Sequence, residues 1–194
     1  MSLVERAKEI ILKPQETWEK IKGEETTIKE LYTSYAGILA LIPAIASFIG
    51  MSLIGTSFMG FHYRAPIATG LVHAILQYAL TLVGIYVVAF VIDALAPNFG
   101  SKKNMLAAAK VAVYSSTPAW IAGILGIIPV LSVLIILASL YGLYLFYVGL
   151  PILMETPQEK VLGYFVVVIV VAIIVSVLIG VFAGLVVSRP VIMP

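Results

Sequence analysis

The chain has 194 residues, of which 61% are hydrophobic and only 11% are charged. Soluble domains carry roughly a quarter charged residues, so this composition excludes a soluble globular protein and predicts an all-α polytopic membrane protein. The formal net charge of +2 gives no reason to expect nucleic acid as a partner, and the absence of cysteine excludes disulfides and thiolate metal sites.

Residues 1–30 are predicted to form an amphipathic segment ahead of a membrane domain at 31–188. Ser2 followed by Glu5 has the spacing of a capping box, which predicts a helix that begins here. Pro14 ends that helix and suits the first turn of a second one. Two placements remain open: the helices lie on the membrane surface, or they form a solvated cap on the ends of the spans.

Five apolar stretches follow, and each is long enough to cross a hydrocarbon layer roughly 30 Å thick. The helix of the first span is expected to begin at Thr27, with Glu30 as its capping partner. The third stretch is the least apolar, because it contains Lys110 and a Ser-Ser-Thr-Pro run. The predicted spans cover residues 34–55, 70–95, 105–127, 129–149 and 163–187.

The lysines and arginines predict the orientation, because cytoplasmic loops of membrane proteins carry an excess of them. With the N-terminus inside, the inner segments hold 10 of these residues and the outer segments only Arg64 and Arg189. We therefore expect a multi-pass protein of the cell membrane with a cytoplasmic N-terminus, a cytoplasmic 96–104 loop, and an external 56–69 loop and C-terminus.

Ionisable and polar residues within spans are costly and are functional candidates by default. His73 and Gln77 share one face of the second span, four residues apart. Asp93 and Lys110 flank the 96–104 loop, so both are expected near the cytoplasmic interface. They are predicted either to form an ion pair or shared hydrogen-bond network, or to extend separately to the interface.

Hydroxyl groups cluster in the third and fourth spans, on Tyr114, Thr117, Tyr141 and Tyr144. Pro118 lacks a backbone donor and is expected to leave a carbonyl unpaired one turn earlier. Such features are tolerated at membrane depth where protein or a water-filled cavity surrounds them. The pattern therefore predicts either a wet functional cavity between the second, third and fourth spans, or a dry hydroxyl network that locks these helices together.

Small residues recur every fourth position in the fifth span, at Ser176, Gly180 and Gly184. Small residues on one helix face let backbones approach closely. Alanines of the first span and the pair Ala138 and Gly142 of the fourth repeat the pattern. We expect these faces to pack the protein's own bundle, with a homo-oligomer contact as the alternative.

Three segments resemble the Yip family, multispanning proteins named for their interaction with Ypt/Rab GTPases. They are ALAPNFGSKKNMLAAAKVAVYSSTPAW at 94–120, LYGLYLFYVGLPILMETPQEKVLGY at 140–164 and KPQETWEKIKGEE at 13–25, the last similar to the bacterial and archaeal branch. The resemblance implies five spans with a cytoplasmic N-terminal segment. In eukaryotic members it implies roles in vesicle trafficking, Rab association and membrane shaping; their DLYGP motif does not occur in this sequence.

Motifs of hydrolases, metalloproteases and nucleotide-binding loops do not occur in the sequence, so no catalytic, cofactor-binding or metal-binding residue is predicted. The prediction is a non-enzymatic membrane-organising or adaptor protein of a prokaryotic-type cell membrane. Its expected partners are the lipid bilayer and another membrane protein or a second copy of the chain. The alternative is a small channel or transporter that uses the polar faces of the second to fourth spans.

Overall fold

The protein is described by a computed structural model that covers the backbone of residues 2–58 and 61–187. Side chains are described for the same residues except 56–58, 61–63, 129, 132, 179, 180 and 182–187. The fold is helical, as the composition predicts, with one short antiparallel hairpin formed by β1 (Thr56–Phe58) and β2 (Phe61–Tyr63).

Two amphipathic helices open the chain, α1 (Leu3–Leu12) and α2 (Pro14–Gly23). The predicted capping box is present, because Ser2 and Glu5 each accept a hydrogen bond from the other's backbone N–H. Pro14 stands at the start of α2, where its missing N–H leaves no intrahelical bond unmade. We call α1, Lys13 and α2 together the N-terminal hairpin.

Four helical stretches are long and apolar enough to cross a membrane: Ile28–Ile54, Ile67–Phe99, Val133–Met154 and Gln158–Leu178. They correspond to the first, second, fourth and fifth predicted spans. The protein is therefore a multi-pass membrane protein, and most of the outward-facing side chains of these helices are leucine, isoleucine and valine.

The first long stretch is not a uniform α-helix. It begins with α3 (Ile28–Leu31), capped reciprocally by Thr27 and Glu30 as predicted. A π-helical turn over Tyr32–Ala36 leads into α4 (Gly37–Phe48), and a second π-helical turn covers Ile49–Ile54. π-Turns inside α-helices re-aim the side chains that follow them and are frequent at functional sites.

The remaining long helices are α5 (Ile67–Leu95), α8 (Val133–Met154) and α9 (Gln158–Val187). A 3₁₀ turn, Ala96–Phe99, extends α5, and another, Pro129–Ser132, precedes α8. The fourth span therefore starts with the proline turn that the sequence predicts, and its α-helix continues past the predicted end to Met154.

The third predicted span, 105–127, is a broken segment. It consists of α6 (Met105–Ser115), α7 (Thr117–Ala122) and a 3₁₀ stretch over Gly123–Ile127. The break lies where the sequence has Pro118, in the first turn of α7, where a proline needs no backbone donor. The proline thus begins a new helix, whereas the sequence predicted a continuous helix with one missing backbone hydrogen bond.

The broken segment still runs from one end of the bundle to the other. The end of the segment at Gly123–Ile127 packs closely against the second half of the first span. A Cβ added at Gly50 would clash with the backbone oxygen of Gly126, and one added at Gly123 would lie 2.7 Å from Cβ of Pro43. Every residue of α6 from Ala107 to Ser115 is buried. The segment is therefore the central element of a five-segment bundle.

The two ends of the bundle differ in charge. The end of the bundle where α6 begins and α8 ends is rich in lysine, and we call it the basic end. Its lysines include Lys22, Lys102, Lys103 and Lys160. The β-hairpin and the start of α5 lie at the opposite end, where the guanidinium Nε of Arg64 donates to the backbone oxygen of Ser52 at 2.7 Å.

Candidate functional site

Lys110 attaches the N-terminal hairpin to the bundle. Its side chain is buried, and its ammonium donates to the backbone oxygens of Ile21 at 2.8 Å and Glu24 at 2.7 Å. These carbonyls lie at the end of α2, which carries the negative end of the helix dipole. The Ile21 carbonyl also accepts a hydrogen bond of 3.3 Å from the Glu24 backbone N–H. A cation in the third span therefore caps the second helix of the chain.

Asp93 takes no part in this attachment. Its carboxylate has one oxygen that is buried without a hydrogen-bond partner among the described residues. The ammonium of Lys110 is occupied by the two α2 carbonyls, and no ion pair described in the structure joins the two residues. Of the two predicted alternatives, the pairing of Asp93 with Lys110 is not found among the described residues, because the Lys110 ammonium bonds the end of α2.

Arg6 is a second buried cation, which the sequence reasoning missed. Its guanidinium pairs with the Glu24 carboxylate and lies 6.0 Å from the ring centre of Tyr114. A charged residue on an amphipathic helix is usually solvated, but Arg6 precedes the buried Ile10 by four residues and shares its face. That i, i+4 relation was the available signal.

Trp18 fits onto a glycine of the fourth span. The indole is fully buried, and a Cβ added at Gly149 would lie 2.5 Å from its Cε2 atom and 2.6 Å from Cζ2. The same ring meets Tyr114 edge to face, with 6.2 Å between ring centres. Only a residue without a side chain at position 149 leaves room for the indole here.

Tyr114 and Thr117 are brought together with a residue of the first span. The hydroxyls of Tyr35 and Thr117 share a hydrogen bond of 2.9 Å, and the rings of Tyr35 and Tyr114 lie 4.7 Å apart. Tyr35 lies in the first π-helical turn, which aims it at the third segment. These hydroxyls therefore join the first and third spans.

The two tyrosines of the fourth span have different surroundings. The Tyr141 hydroxyl donates to the backbone oxygen of Ile11 at 2.6 Å, so it too holds the N-terminal hairpin. Tyr144 is 46% exposed and packs beside Tyr141, with ring centres 5.5 Å apart. Among the residues that the structure describes, neither tyrosine lines the groove between α5, α6, α8 and α9.

The polar face of the second span contacts the first span. The Ser47 hydroxyl oxygen lies 2.8 Å from the amide oxygen of Gln77 and 3.0 Å from the backbone oxygen of Ala44, so these two acceptors share its single proton. The Tyr78 hydroxyl donates to the backbone oxygen of Gly37 at 3.1 Å. His73 is half-buried on the same helix, one turn from Gln77.

The alanines of the first span and Gly142 of the fourth span pack within the bundle. Ala36, Ala40 and Ala44 are buried. A Cβ added at Gly142 would lie 2.7 Å from the backbone oxygen of Ser115, so α8 and α6 touch through their backbones. In the fifth span Ser176 is exposed and its hydroxyl bonds its own helix; the surroundings of Gly180 and Gly184 lie outside the described residues.

A groove of about 230 Å³ lies between α5, α6, α8 and α9. It occupies the region where the sequence predicts a cavity, but serines, aliphatic side chains and Phe146 line it in place of the tyrosines. The hydroxyls of Ser116 and Ser139 bond their own helices. The Ser115 hydroxyl is buried and has no hydrogen-bond partner among the described residues.

A larger cavity of about 540 Å³ opens at the basic end, and we call it the basic-end cavity. It lies between the end of α2, the start of α6 and the end of α8. Lys22 and Glu155 bridge it with an ion pair of 3.1 Å. The hydrogen bond and charge of Lys22 hold the pKa of the Glu155 carboxyl below its ordinary value. Within the part of the chain that the structure describes, no group of three His, Asp or Glu residues could hold a metal ion.

Comparison with known proteins identifies the family of this chain. A family model, the Yip1 domain, matches residues 8–180. Inner membrane protein YohC of Escherichia coli strain K12 is 32% identical over 112 residues, which are 57% of each chain, and the protein of the same name from strain CFT073 matches equally. The match thus spans little more than half the length of these relatives. No solved structure matches the chain. Because the family model covers most of the chain and the described segments form a multi-pass bundle, this protein belongs to the Yip1 family.

Proposed function

We propose that this protein is a non-enzymatic membrane-organising or adaptor protein of the cell membrane, which presents its N-terminal hairpin as a fixed surface to a partner. The observation that carries the proposal is the way the hairpin is held. Lys110, Tyr141 and the Arg6–Glu24 pair bind its backbone or side chains, and Trp18 lies in the space above Gly149. Because several contacts hold it, the N-terminal hairpin is rigid, and we refer to it in this role as the platform.

The outward side of the platform offers a surface for recognition. A groove of about 510 Å³ runs between α2, α8 and α9, with Gln15, Glu16 and Glu19 on one wall and Tyr147, Val148 and Pro151 among the residues on the other. Tyrosine beside carboxylates suits a protein partner, since interfaces are enriched in aromatic anchors within a polar rim. Partner capture at this groove is the adaptor activity that we propose.

A photo-crosslinking residue at Glu19 tests the adaptor role. We expect it to form a defined crosslinked product in membranes of the native host, whereas the same residue at Val170, a half-exposed position of the fifth span, gives crosslinks to lipid only. Identical product patterns from the two positions would argue against a partner at the platform.

The basic end and the N-terminal hairpin belong in the cytoplasm under this proposal. The support is the distribution of 10 lysines and arginines against 2, which favours this end as the inner one. Since the chain has no cysteine, single cysteines report accessibility without background. Lys103→Cys should stay unlabelled by an impermeant reagent in intact cells and Thr69→Cys should be labelled; the reverse result would invert the orientation. Ser101 is unsuitable as a probe because it is buried and bonds Thr156 at 2.8 Å.

A small channel or transporter remains the second candidate, and the Ser115 hydroxyl favours it. A buried hydroxyl without a partner costs free energy unless water or a solute satisfies it. If the groove between α5, α6, α8 and α9 is wet, Ser115→Cys should react with a small soluble thiol reagent while Val170→Cys stays inert. Protection at both positions would remove the support for transport and leave the adaptor proposal in place.

A further inference from the structure

The basic-end cavity collects charged side chains from three separate parts of the chain. Its walls carry four lysines and three glutamates. The lysines come from α2, the 100–104 loop and α6, and the glutamates from the end of α2 and the α8–α9 connection. The lysines are Lys22, Lys102, Lys103 and Lys110, and the glutamates are Glu24, Glu25 and Glu155.

Two of the three glutamates are already neutralised by partners. Glu24 pairs with the buried Arg6, which lies outside the cavity walls, and Glu155 pairs with Lys22. Three lysines then face one remaining carboxylate, that of Glu25, so the cavity has a net charge of about +2 when these pairs are counted as neutral. The two lysines of the loop, Lys102 and Lys103, are exposed and take part in none of the ion pairs described.

The buried Lys110 adds a fixed positive charge at the inner wall. An ammonium has three N–H donors, and the carbonyls of Ile21 and Glu24 take two of them. The side chain is only 5% exposed and it lines the cavity. A charged donor that is held in place from two sides is preorganised for an anion, because it loses little freedom on binding.

We propose that the basic-end cavity binds a phosphate group, with Lys102, Lys103 and Lys110 as the binding residues. A phosphate monoester carries a charge of about −1.5 to −2 at neutral pH, which matches the excess positive charge of the walls. Lysine recognises phosphate as a point charge. The cavity lies where the hydrophobic helices end, so the phosphate can belong to a lipid headgroup or to a soluble compound.

The purified full-length chain in neutral detergent tests this site. The probe is phosphatidic acid, measured against phosphatidylcholine of the same chains by native mass spectrometry. We expect Lys102→Ala with Lys103→Ala to weaken phosphatidic acid binding about twenty-five-fold, since each lysine near an anionic group contributes about a factor of five. Lys102→Arg with Lys103→Arg should retain binding, because both charges remain.

The matched control removes two exposed lysines elsewhere. Lys8→Ala with Lys29→Ala makes the same change in net charge outside the cavity and should leave binding unchanged. Equal weakening by the two pairs, or none by the loop pair, would overturn the site. Competition by inorganic phosphate at millimolar concentration would assign a soluble phosphate compound, and its absence would assign the lipid headgroup; either result supports the phosphate site. This inference does not depend on a partner at the platform.

Discussion

Replacement of Gly149 by alanine tests how the N-terminal hairpin is held. A Cβ at this position would lie 2.5, 2.6 and 2.9 Å from three ring atoms of Trp18. Ordinary contacts begin near 3.4 Å, so the fully buried indole must move by roughly 1 Å or leave its place. Overpacking of a core costs about 1–3 kcal/mol, and we expect the upper end because three aromatic atoms are affected.

The backbone opposes part of this cost. Glycine in a helix interior is about 1 kcal/mol less favourable than alanine, and Gly149 lies within α8. The net destabilisation is therefore about 2 kcal/mol. For a chain of this size, 1 kcal/mol shifts the melting temperature by about 2–4 °C, so Gly149→Ala should lower it by about 4–8 °C.

Thermal unfolding in detergent, followed by tryptophan fluorescence, measures the change. Gly163→Ala is the matched control, because its Cβ would meet nothing closer than Phe99 at 3.5 Å, and it should leave the melting temperature unchanged or raise it. In a Trp18→Ala background the Gly149 substitution should lose its cost. If Gly149→Ala is equally damaging with and without the indole, the reasoning is refuted.

Three further expectations follow from the geometry. Lys110→Met should lower the melting temperature because it removes two hydrogen bonds to α2. Asp93→Asn should add its own effect independently, since no described ion pair joins the two residues; a coupling energy above about 0.5 kcal/mol in the double-mutant cycle would contradict this independence. Thr117→Val should cost about 1–3 kcal/mol in unfolding free energy, because the tyrosine hydroxyl of the first span loses its partner, whereas Thr117→Ser should cost less. Lys22 holds the pKa of Glu155 below its ordinary value of 4.5, so the ion pair stabilises the fold at neutral pH. This stabilisation disappears as the pH falls from about 5 through the folded-state pKa of Glu155, where the melting temperatures of the native chain and of Glu155→Gln should converge. A difference in melting temperature that stays constant with pH would contradict a contribution from this ion pair.

The attachment of the hairpin bears on the proposed adaptor role. Its contacts reach the third span at Lys110 and Tyr114 and the fourth span at Gly149 and Tyr141. Tyr35 of the first span packs in turn against Tyr114. A force applied to the hairpin by a partner would therefore be transmitted to three membrane segments, because close-packed interiors do not deform continuously. This is the physical basis on which an adaptor could organise its surroundings.

Local features were determined by the sequence alone. The capping pairs Ser2 with Glu5 and Thr27 with Glu30, and the helix start at Pro14, formed as predicted because each depends on residues within one turn of each other. The long apolar stretches became helices because a chain in hydrocarbon must satisfy its backbone groups internally. The membrane class, the helical fold and the family resemblance could likewise be inferred from the sequence without the tertiary structure.

Contacts between distant segments were decided by the tertiary structure. Lys110 bonds the carbonyls of Ile21 and Glu24, 89 and 86 residues away, where the sequence pattern favoured the nearer Asp93 as one possible partner. Arg6 is buried because Glu24 and the ring of Tyr114 lie beside it after folding. Sequence spacing and periodicity identify charged partners only among residues that are close along the chain. The partner of a buried cation depends instead on which helix end packs over it in the folded protein.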